Sequence, residues 1–492
     1  MVSFSFSGNE LRKAWRYAIK TDFHSISDPD RPVQTTTVSP DSYTRSIPLV
    51  KSNDLNASTP SGLNINRDGT KAAVPRGGQI DVYDLETGDR VVLSGHVGAI
   101  RTVSFAPCGP NTLVSSGSAD PEDKNDDDAE IIVWDLCDYT PASSSPSQKI
   151  DVEELAEEAL SAIGANLKRH GAEELQRDEQ DSMTPALHAM LKRFKALRSV
   201  PSSSRLPGRL LGSFQSPIFG NCSDRLILLP GGRPESNGDE AWDIVLRSLG
   251  TKKEMTLSGH RDAIMWVGFS PDDTLVASVC WDETVRIWDA STGTEKWKFI
   301  TEHQNWTGAF SPDSKRFLAT DGQGIVRIWD LESGEEIARN EGRRWSRAVD
   351  WSPDGRWAAV GAENMGEIFL FDMGAIPSDG KLEPAQTRIL SLDQTDLSAE
   401  KMSFARGMLA VETLRFLPAS AGLVLVHRTS PDRGLMVVNL ETGAQLRISP
   451  AEGVSGESKM EGQAVVLDWA YLESSKEIIG LTKDRIGFWK LP

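Results

Sequence analysis

The chain has 492 residues, with 53 Lys and Arg against 71 Asp and Glu and a formal net charge of −18. A surface this acidic argues against phosphate-backbone binding and anionic-membrane association as general modes, and its plain consequence is solubility. Cys108, Cys137, Cys222 and Cys280 lack CxxC spacing and read as reduced, buried thiols of an intracellular protein, and no apolar run approaches the ~18 residues of a membrane span.

Taken in order, residues 10–20 place Leu11, Ala14, Trp15, Ala18 and Ile19 on one helical face, with Arg12, Lys13, Arg16 and Lys20 around it. This basic amphipathic helix is either an organelle-targeting segment or a helix docked on the body of the protein or on a partner. The rest of 1–42 reads as extended loop. Residues 44–51 are a candidate outer strand.

A repeating unit then begins. The first copy, 63–93, turns at Asp68-Gly69 and ends its third strand on Tyr83-Asp84. The second opens at Gly95-His96 and closes on Trp134-Asp135, with an acidic loop at 121–130. That loop lacks the central Gly and terminal Glu of an EF-hand, so calcium binding is set aside. Residues 139–206 interrupt the pattern: Ser/Pro-rich flanks enclose two helical segments, 151–167 and 184–198, the second with a stripe of Leu187, Met190, Leu191, Phe194 and Leu197. The third copy, about 210–256, is degenerate, and its Trp242-Asp243 begins a strand instead of ending one.

The fourth copy, 257–298, is the clearest. It starts at Gly259-His260, turns at Ser270-Pro271-Asp272-Asp273 and again at Asp282-Glu283, and ends a third strand on Trp288-Asp289. Period-2 alternation marks the strands between those turns. The fifth and sixth copies keep register: Pro271, Pro312 and Pro353 are spaced by 41, as are Phe269, Phe310 and Trp351. His303 lies only seven residues before Phe310, and the sixth copy has no His. A second insertion occupies 375–404. The seventh copy (414–448) and the eighth (465–492) follow, and the eighth is one strand short.

A Gly-His start, a Trp-Asp end and a length of ~40–45 residues resemble the WD40 repeat, over about 350 residues of the chain, strongly in copies two and four to six and weakly in three, seven and eight. The resemblance implies an all-β, WD40 β-propeller. Excluding the insertions, ~44 residues per blade over eight against ~50 over seven select eight four-stranded blades, with seven the alternative. The family closes its ring with an N-terminal strand, the role implied for 44–51, so the propeller spans 43–492. It also implies structural tetrads of His, Ser, Asp and Trp: His260, Ser278, Asp282 and Trp288, and, aligning the two Leu-Val strands, His96, Ser116, Asp120 and Trp134. A buried indole N–H needs an acceptor, so these are read as fasteners and not as catalytic groups.

No HExxH, GxSxG or P-loop pattern occurs, and the seven histidines are scattered, so no catalytic residue, metal or cofactor is expected. The resemblance implies that the residue before the turn Asp, here Trp281, is displayed on one face. Entry loops add Arg261, Trp266, Asn305, Trp306, Arg343, Arg344 and Trp345 as candidate partner contacts, with blade core as the alternative place for several of the Trp residues. Arg343-Arg344-Trp345 suits an acidic or modified peptide. The expectation is a non-catalytic scaffold for other proteins or peptides in the cytoplasm or nucleus. Partners would dock on the propeller face and also on the 139–206 insertion. The alternatives are a peptide reader or substrate receptor, and then an enzyme with an active site in the central channel.

Overall fold

A computed structural model describes residues 35–38, 44–49, 60–118, 129–136, 203–212, 215–230, 242–340, 345–362, 367–376, 387–390, 410–418, 422, 424–430, 435–441, 445–448 and 466–491. They form eight separate sheets. Blade 1 runs from Asn64–Ile65 to Arg90–Ser94, and blade 2 from Ile100–Ala106 to Ser203–Pro207. Blade 3 has three strands, Arg225–Leu228, Trp242–Ser248 and Glu254–His260, and its inner edge is reduced to an isolated bridge, Phe219 to Leu226. Blade 4 holds Ile264–Phe269, Leu275–Cys280, Thr284–Asp289 and Glu295–Ile300; blade 5 runs from Asn305–Phe310 to Glu336–Asn340, and blade 6 from Ser346–Trp351 to Thr387–Leu390. Blade 7 holds Ala410–Phe416, Val424–Ser430, Leu435–Asn439 and Gln445–Ile448. Blade 8 holds Asp468–Leu472, Glu477–Leu481, Arg485–Lys490 and, from the other end of the chain, Arg45–Pro48. The only helical element among the described residues is the short 3-10 turn Met373–Ala375.

Strand alternation makes the ring. In Leu275–Cys280, Val276 and Cys280 face blade 3, where they meet Ile244 and Leu257. Leu275, Ala277 and Val279 face the other way, onto Phe310 and Phe317 of blade 5. A sheet buried on both faces shows no polar face, and this strand is buried throughout. Every neighbouring pair of blades shares such a core. The last one joins Ile47, Leu481 and Phe488 of blade 8 to Leu63, Val74 and Tyr83 of blade 1, so the cycle closes on eight cores.

The recurrent Asp-x-x-x-Gly turns have a local cause. Asp289 Oδ1 accepts the N–H groups of Ser291 (3.0 Å) and Thr292 (2.8 Å), and Gly293 then takes φ +73°. Asp84 with Gly88 and Asp330 with Gly334 repeat the arrangement. Here the positive φ is what selects glycine.

Closure follows the sequence expectation, with Arg45–Pro48 antiparallel to Arg485–Lys490. Other expectations change. Ser203–Pro207 is the outer strand of blade 2 and Thr387–Leu390 that of blade 6, so the insertions read as 139–206 and 375–404 are bounded too widely. Both strands are outermost in their sheets, and Ser203–Pro207 is exposed except at Leu206, so little apolar pattern marks it. Thr35–Val38, read as loop, is a strand. Cys108 and Cys222 are exposed, contrary to the buried reading, while Cys280 is buried. The helices expected at 10–20, 151–167 and 184–198 and most of the acidic loop lie outside the described residues. No helix among the described residues is long and apolar enough to cross a membrane.

Candidate functional site

His260, at the end of the outer strand of blade 3, reaches into blade 4. Its Nε2 lies 2.6 Å from Ser278 Oγ, and its Nδ1 lies 2.9 Å from Asp282 Oδ2. The Trp288 indole N–H donates to the same Ser278 oxygen at 2.9 Å. Burial pulls His260 below the ordinary histidine range, although the Asp282 carboxylate opposes it. Burial alone would raise Asp282, but hydrogen bonds from His260, Thr284 and the Arg261 N–H hold its carboxyl well below the usual range. The network is a satisfied polar fastener between the outer strand of one blade and the middle of the next.

Blade 2 repeats it with one residue changed. Trp134 Nε1 donates to Ser115 Oγ at 2.8 Å, and His96 Nε2 lies 2.7 Å from that oxygen. Ser116, the residue expected in this role, instead accepts the Leu210 N–H at 3.2 Å, on the blade 3 side. The cause is the first hairpin. Phe105 pairs with Leu113, eight residues on, whereas Phe269 pairs with Val276, seven on. The extra residue moves every later position by one, so Leu113 and not Val114 matches Val276, and the side chains exchange faces. Asp120 lies outside the described residues. Glu130 Oε1 stands 3.5 Å from His96 Nδ1. In blade 5 the polar centre is different again: buried Asp321 pairs with buried Arg327 at 2.8 Å, with His303 Nδ1 3.4 Å away.

His260, Cys280 and Asp282 place possible ligand atoms within 4.8 Å of one another. Each is already engaged. Both His260 nitrogens are hydrogen-bonded, and the Cys280 thiol donates to the Asp262 carbonyl at 3.0 Å. Burial, then the Asp282 charge, pushes that thiol far above its ordinary range, which is the reverse of what a thiolate ligand needs. Opposite the matching first-strand residue, blade 2 has Gly117 and blade 5 has Asp321, so the trio is a by-product of one fastener.

The partner-contact candidates separate into two groups. Trp266 is core, 4% exposed and packed 5.5 Å from the Phe317 ring, and Asn305 is 1% exposed, donating to the Cys280 carbonyl (3.2 Å) and Thr301 Oγ1 (2.8 Å). Neither is displayed. Arg261 is exposed, and Arg343 and Arg344 lie outside the described residues. Trp281, Trp306 and Trp345 come together, each partly exposed. Trp281 and Trp306 meet edge to face at 5.1 Å between centroids, and Trp306 and Trp345 at 4.6 Å. The Arg347 guanidinium lies over the Trp345 ring at 5.0 Å.

A recurring β-bulge explains the sorting. The first strands of blades 2, 4, 5, 6 and 7 each skip one residue against the second strand: Arg101, Met265, Trp306, Arg347 and Glu412. A bulge re-aims the skipped side chain and reverses the phase beyond it. Trp306 is the skipped residue of blade 5, four before Phe310; Trp266 is the one after it in blade 4, three before Phe269. That difference of one was present in the sequence, and it separates a displayed indole from a buried one. Trp281 follows the second strand of blade 4 and Trp345 precedes the first strand of blade 6, so all three sit at the same end of their blades.

Two outcomes follow. Ser115→Ala leaves two buried groups without their shared partner and should cost about 1–3 kcal/mol. In an NMR spectrum the Trp134 indole N–H resonance should shift and exchange faster in Ser115→Ala, and stay in place in Ser116→Ala. Burial first, with Glu130 opposing, lowers His96 to about 4 from 6.5. Because the folded value lies below the unfolded one, the unfolded chain takes up this proton first. Its contribution is complete above pH 6.5 and is lost between pH 6.5 and about 4. Unfolding midpoints recorded over that interval should fall with acidification, and His96→Gln should remove up to about 1.4 kcal/mol per pH unit of the slope.

The sequence profile described as WD domain, G-beta repeat matches residues 89–135 and 251–289, which take in the outer strand of blade 1 with the first three strands of blade 2, and the outer strand of blade 3 with the first three of blade 4. WD repeat and SOCS box-containing protein 1 of Danio rerio is 36% identical over 95 residues, 18% of this chain and 21% of that protein. Periodic tryptophan protein 2 of Arabidopsis thaliana is 45% identical over 71 residues, 14% of this chain and 8% of that protein. Eukaryotic translation initiation factor 3 subunit I of Aspergillus fumigatus is 42% identical over 66 residues, 13% and 19% of the two chains. The matched stretches thus span about a fifth or less of these relatives. With those repeats set in a closed ring of eight sheets, the chain is a WD40-repeat β-propeller.

Proposed function

We propose that this propeller is a non-catalytic scaffold for protein assembly inside the cell, in the cytoplasm or nucleus. Its partners dock on the end of the ring that carries Trp281, Trp306 and Trp345. The observation behind this reading is the contact of three partly exposed indoles drawn from three consecutive blades. Indoles held on a rigid sheet frame lose little freedom on binding and make effective anchors. Exposed Arg261 adds a charged contact at the same end, and Arg343 and Arg344 adjoin Trp345 in sequence. The insertion, 139–202 once the outer strand of blade 2 is excluded, is a second docking element. It leaves blade 2 between its third and fourth strands, where a long excursion need not disturb the ring. The net charge of −18 favours protein partners over nucleic acid as the general class. One matched relative is, by its name, a subunit of a translation initiation factor, which accords with an assembly role.

Recognition of a short peptide, as a reader or substrate receptor, is the second reading. It is favoured by Arg347 stacked on Trp345, an aromatic and cationic pair suited to an acidic or modified side chain.

Quantitative affinity purification of the full chain separates these surfaces. Trp281→Ala and Trp306→Ala should each weaken partner recovery by tenfold or more, the effect of losing an anchor of about 2 kcal/mol. Unfolding midpoints measured alongside guard against loss of the fold. Deleting 139–202, which spares the outer strand of blade 2, should remove only partners that use the insertion. Full recovery of every partner by both Trp variants would refute the indole face as the docking surface.

A further inference from the structure

Blade 7 carries one strand more than its own repeat supplies. Its repeat provides four, and Thr35–Val38 adds a fifth on the outer edge, beside Gln445–Ile448. Blade 8 differs: its repeat provides three strands, and Arg45–Pro48 completes the set. The two N-terminal strands therefore do unlike work. Arg45–Pro48 closes the ring, with Ile47 in the core shared with blade 1. Thr35–Val38 completes nothing, because the blade it joins is already complete.

Its pairing is also unlike the rest. Every other strand pair among the described residues is antiparallel, whereas Thr35–Val38 runs parallel to its neighbour, from Thr35 opposite Gln445 to Val38 opposite Ile448. No hairpin joins the two. The segment is linked to Arg45–Pro48 through a tether, the six residues between Val38 and Arg45. The far end of that tether is firm: the Thr44 N–H donates to the Phe488 carbonyl at 2.7 Å, and the Arg45 guanidinium lies 3.7 Å over the Phe488 ring. A short tether supplies an effective concentration on the order of 1 mM, enough to keep a four-residue strand in place without strong contacts of its own. Pro40 and Pro32 bound the segment, and neither has an N–H with which to extend the ladder.

An open strand edge offers a row of unpaired N–H and C=O groups to any extended chain. We propose that the outer edge of blade 7 is a strand-addition site for an extended, uncharged, β-branched peptide of a partner protein, and that Thr35–Val38 is its resident, displaceable occupant. Main-chain hydrogen bonds supply the recognition in such a site, and alternate side chains supply the selectivity. The Thr-Thr-Thr-Val sequence of the occupant is the template for that selectivity, since β-branched residues suit a pleated edge. A partner displaces the segment when a second contact elsewhere offsets the advantage of the tether.

The full chain carrying Thr36→Pro and Thr37→Pro together tests this. Alternate residues of a parallel strand face the neighbour, so one of the two prolines removes a ladder N–H. Hydrogen exchange should rise tenfold or more at 445–448 and stay unchanged at 435–439 and 485–490. A fluorescent peptide copying residues 32–42, titrated to about 1 mM, should bind the variant at least tenfold more tightly than the wild-type chain. Unchanged exchange at 445–448 would overturn the proposal. So would loss of protection spreading to 435–439 or 485–490, which would make the strand part of the frame. Equal binding of the peptide to both chains, or binding to neither, would overturn it as well.

Discussion

No blade of this protein can bury itself. A strand turns successive side chains to opposite faces, and in the middle strands both faces are apolar, so each sheet needs a neighbour on both sides. Val276 belongs to one core and Ala277 to the next. An open row of such sheets would leave an apolar face bare at each end. Only a ring satisfies all eight, and the ring requires Arg45–Pro48, because blade 8 lacks an outer strand of its own.

Magnitudes separate the cores from the tetrads. Each core gathers roughly ten apolar side chains, and full burial is worth about 1.5–3 kcal/mol for each. A hydrogen bond adds about 0.5–1.5 kcal/mol net. Apolar burial therefore holds the ring together. The His260 and His96 networks act differently, by asymmetry: a buried indole N–H without an acceptor costs more than the bond contributes when made. They fix the angle and register at which one blade meets the next. Blade 5 has Ala319 where blade 4 has Ser278, and its buried Asp321–Arg327 pair lies within its own sheet, so not every joint carries the fastener.

Much of this was legible in the sequence because the repeats are strict where burial is two-sided. The 41-residue spacing of Phe269, Phe310 and Trp351 exposed blades 4 to 6, and the short eighth copy pointed to a strand from the N-terminus. The failures share a physical origin. Ser203–Pro207 and Thr35–Val38 are outermost strands, and the first is mostly exposed, so neither carries alternation to be read. Aligning Leu113-Val114 on Leu275-Val276 points to Ser116, because the matching pair hides a hairpin longer by one residue. Trp266 and Trp306 look alike as entry-loop aromatics until the bulge is placed. The bulge leaves no composition signature, only an offset of one from the following aromatic. The indole cluster itself joins residues from three repeats, which no single repeat announces.

The dependence of the ring on its closing strand can be measured most directly with one cross-link. Pro48 stands opposite Arg485, and the Leu49 N–H bond to the Asp484 carbonyl makes the adjacent pair a non-hydrogen-bonded one. Such pairs bring Cα atoms to ~4.5 Å, within disulfide reach. The double variant Pro48→Cys, Arg485→Cys should form an intramolecular disulfide between these positions under mild oxidation. Its unfolding midpoint should rise by several degrees, roughly the effect of a few kcal/mol from a long closed loop, and fall back on reduction. Failure of the two positions to link within one molecule, or a link that leaves the midpoint unmoved, would contradict the account.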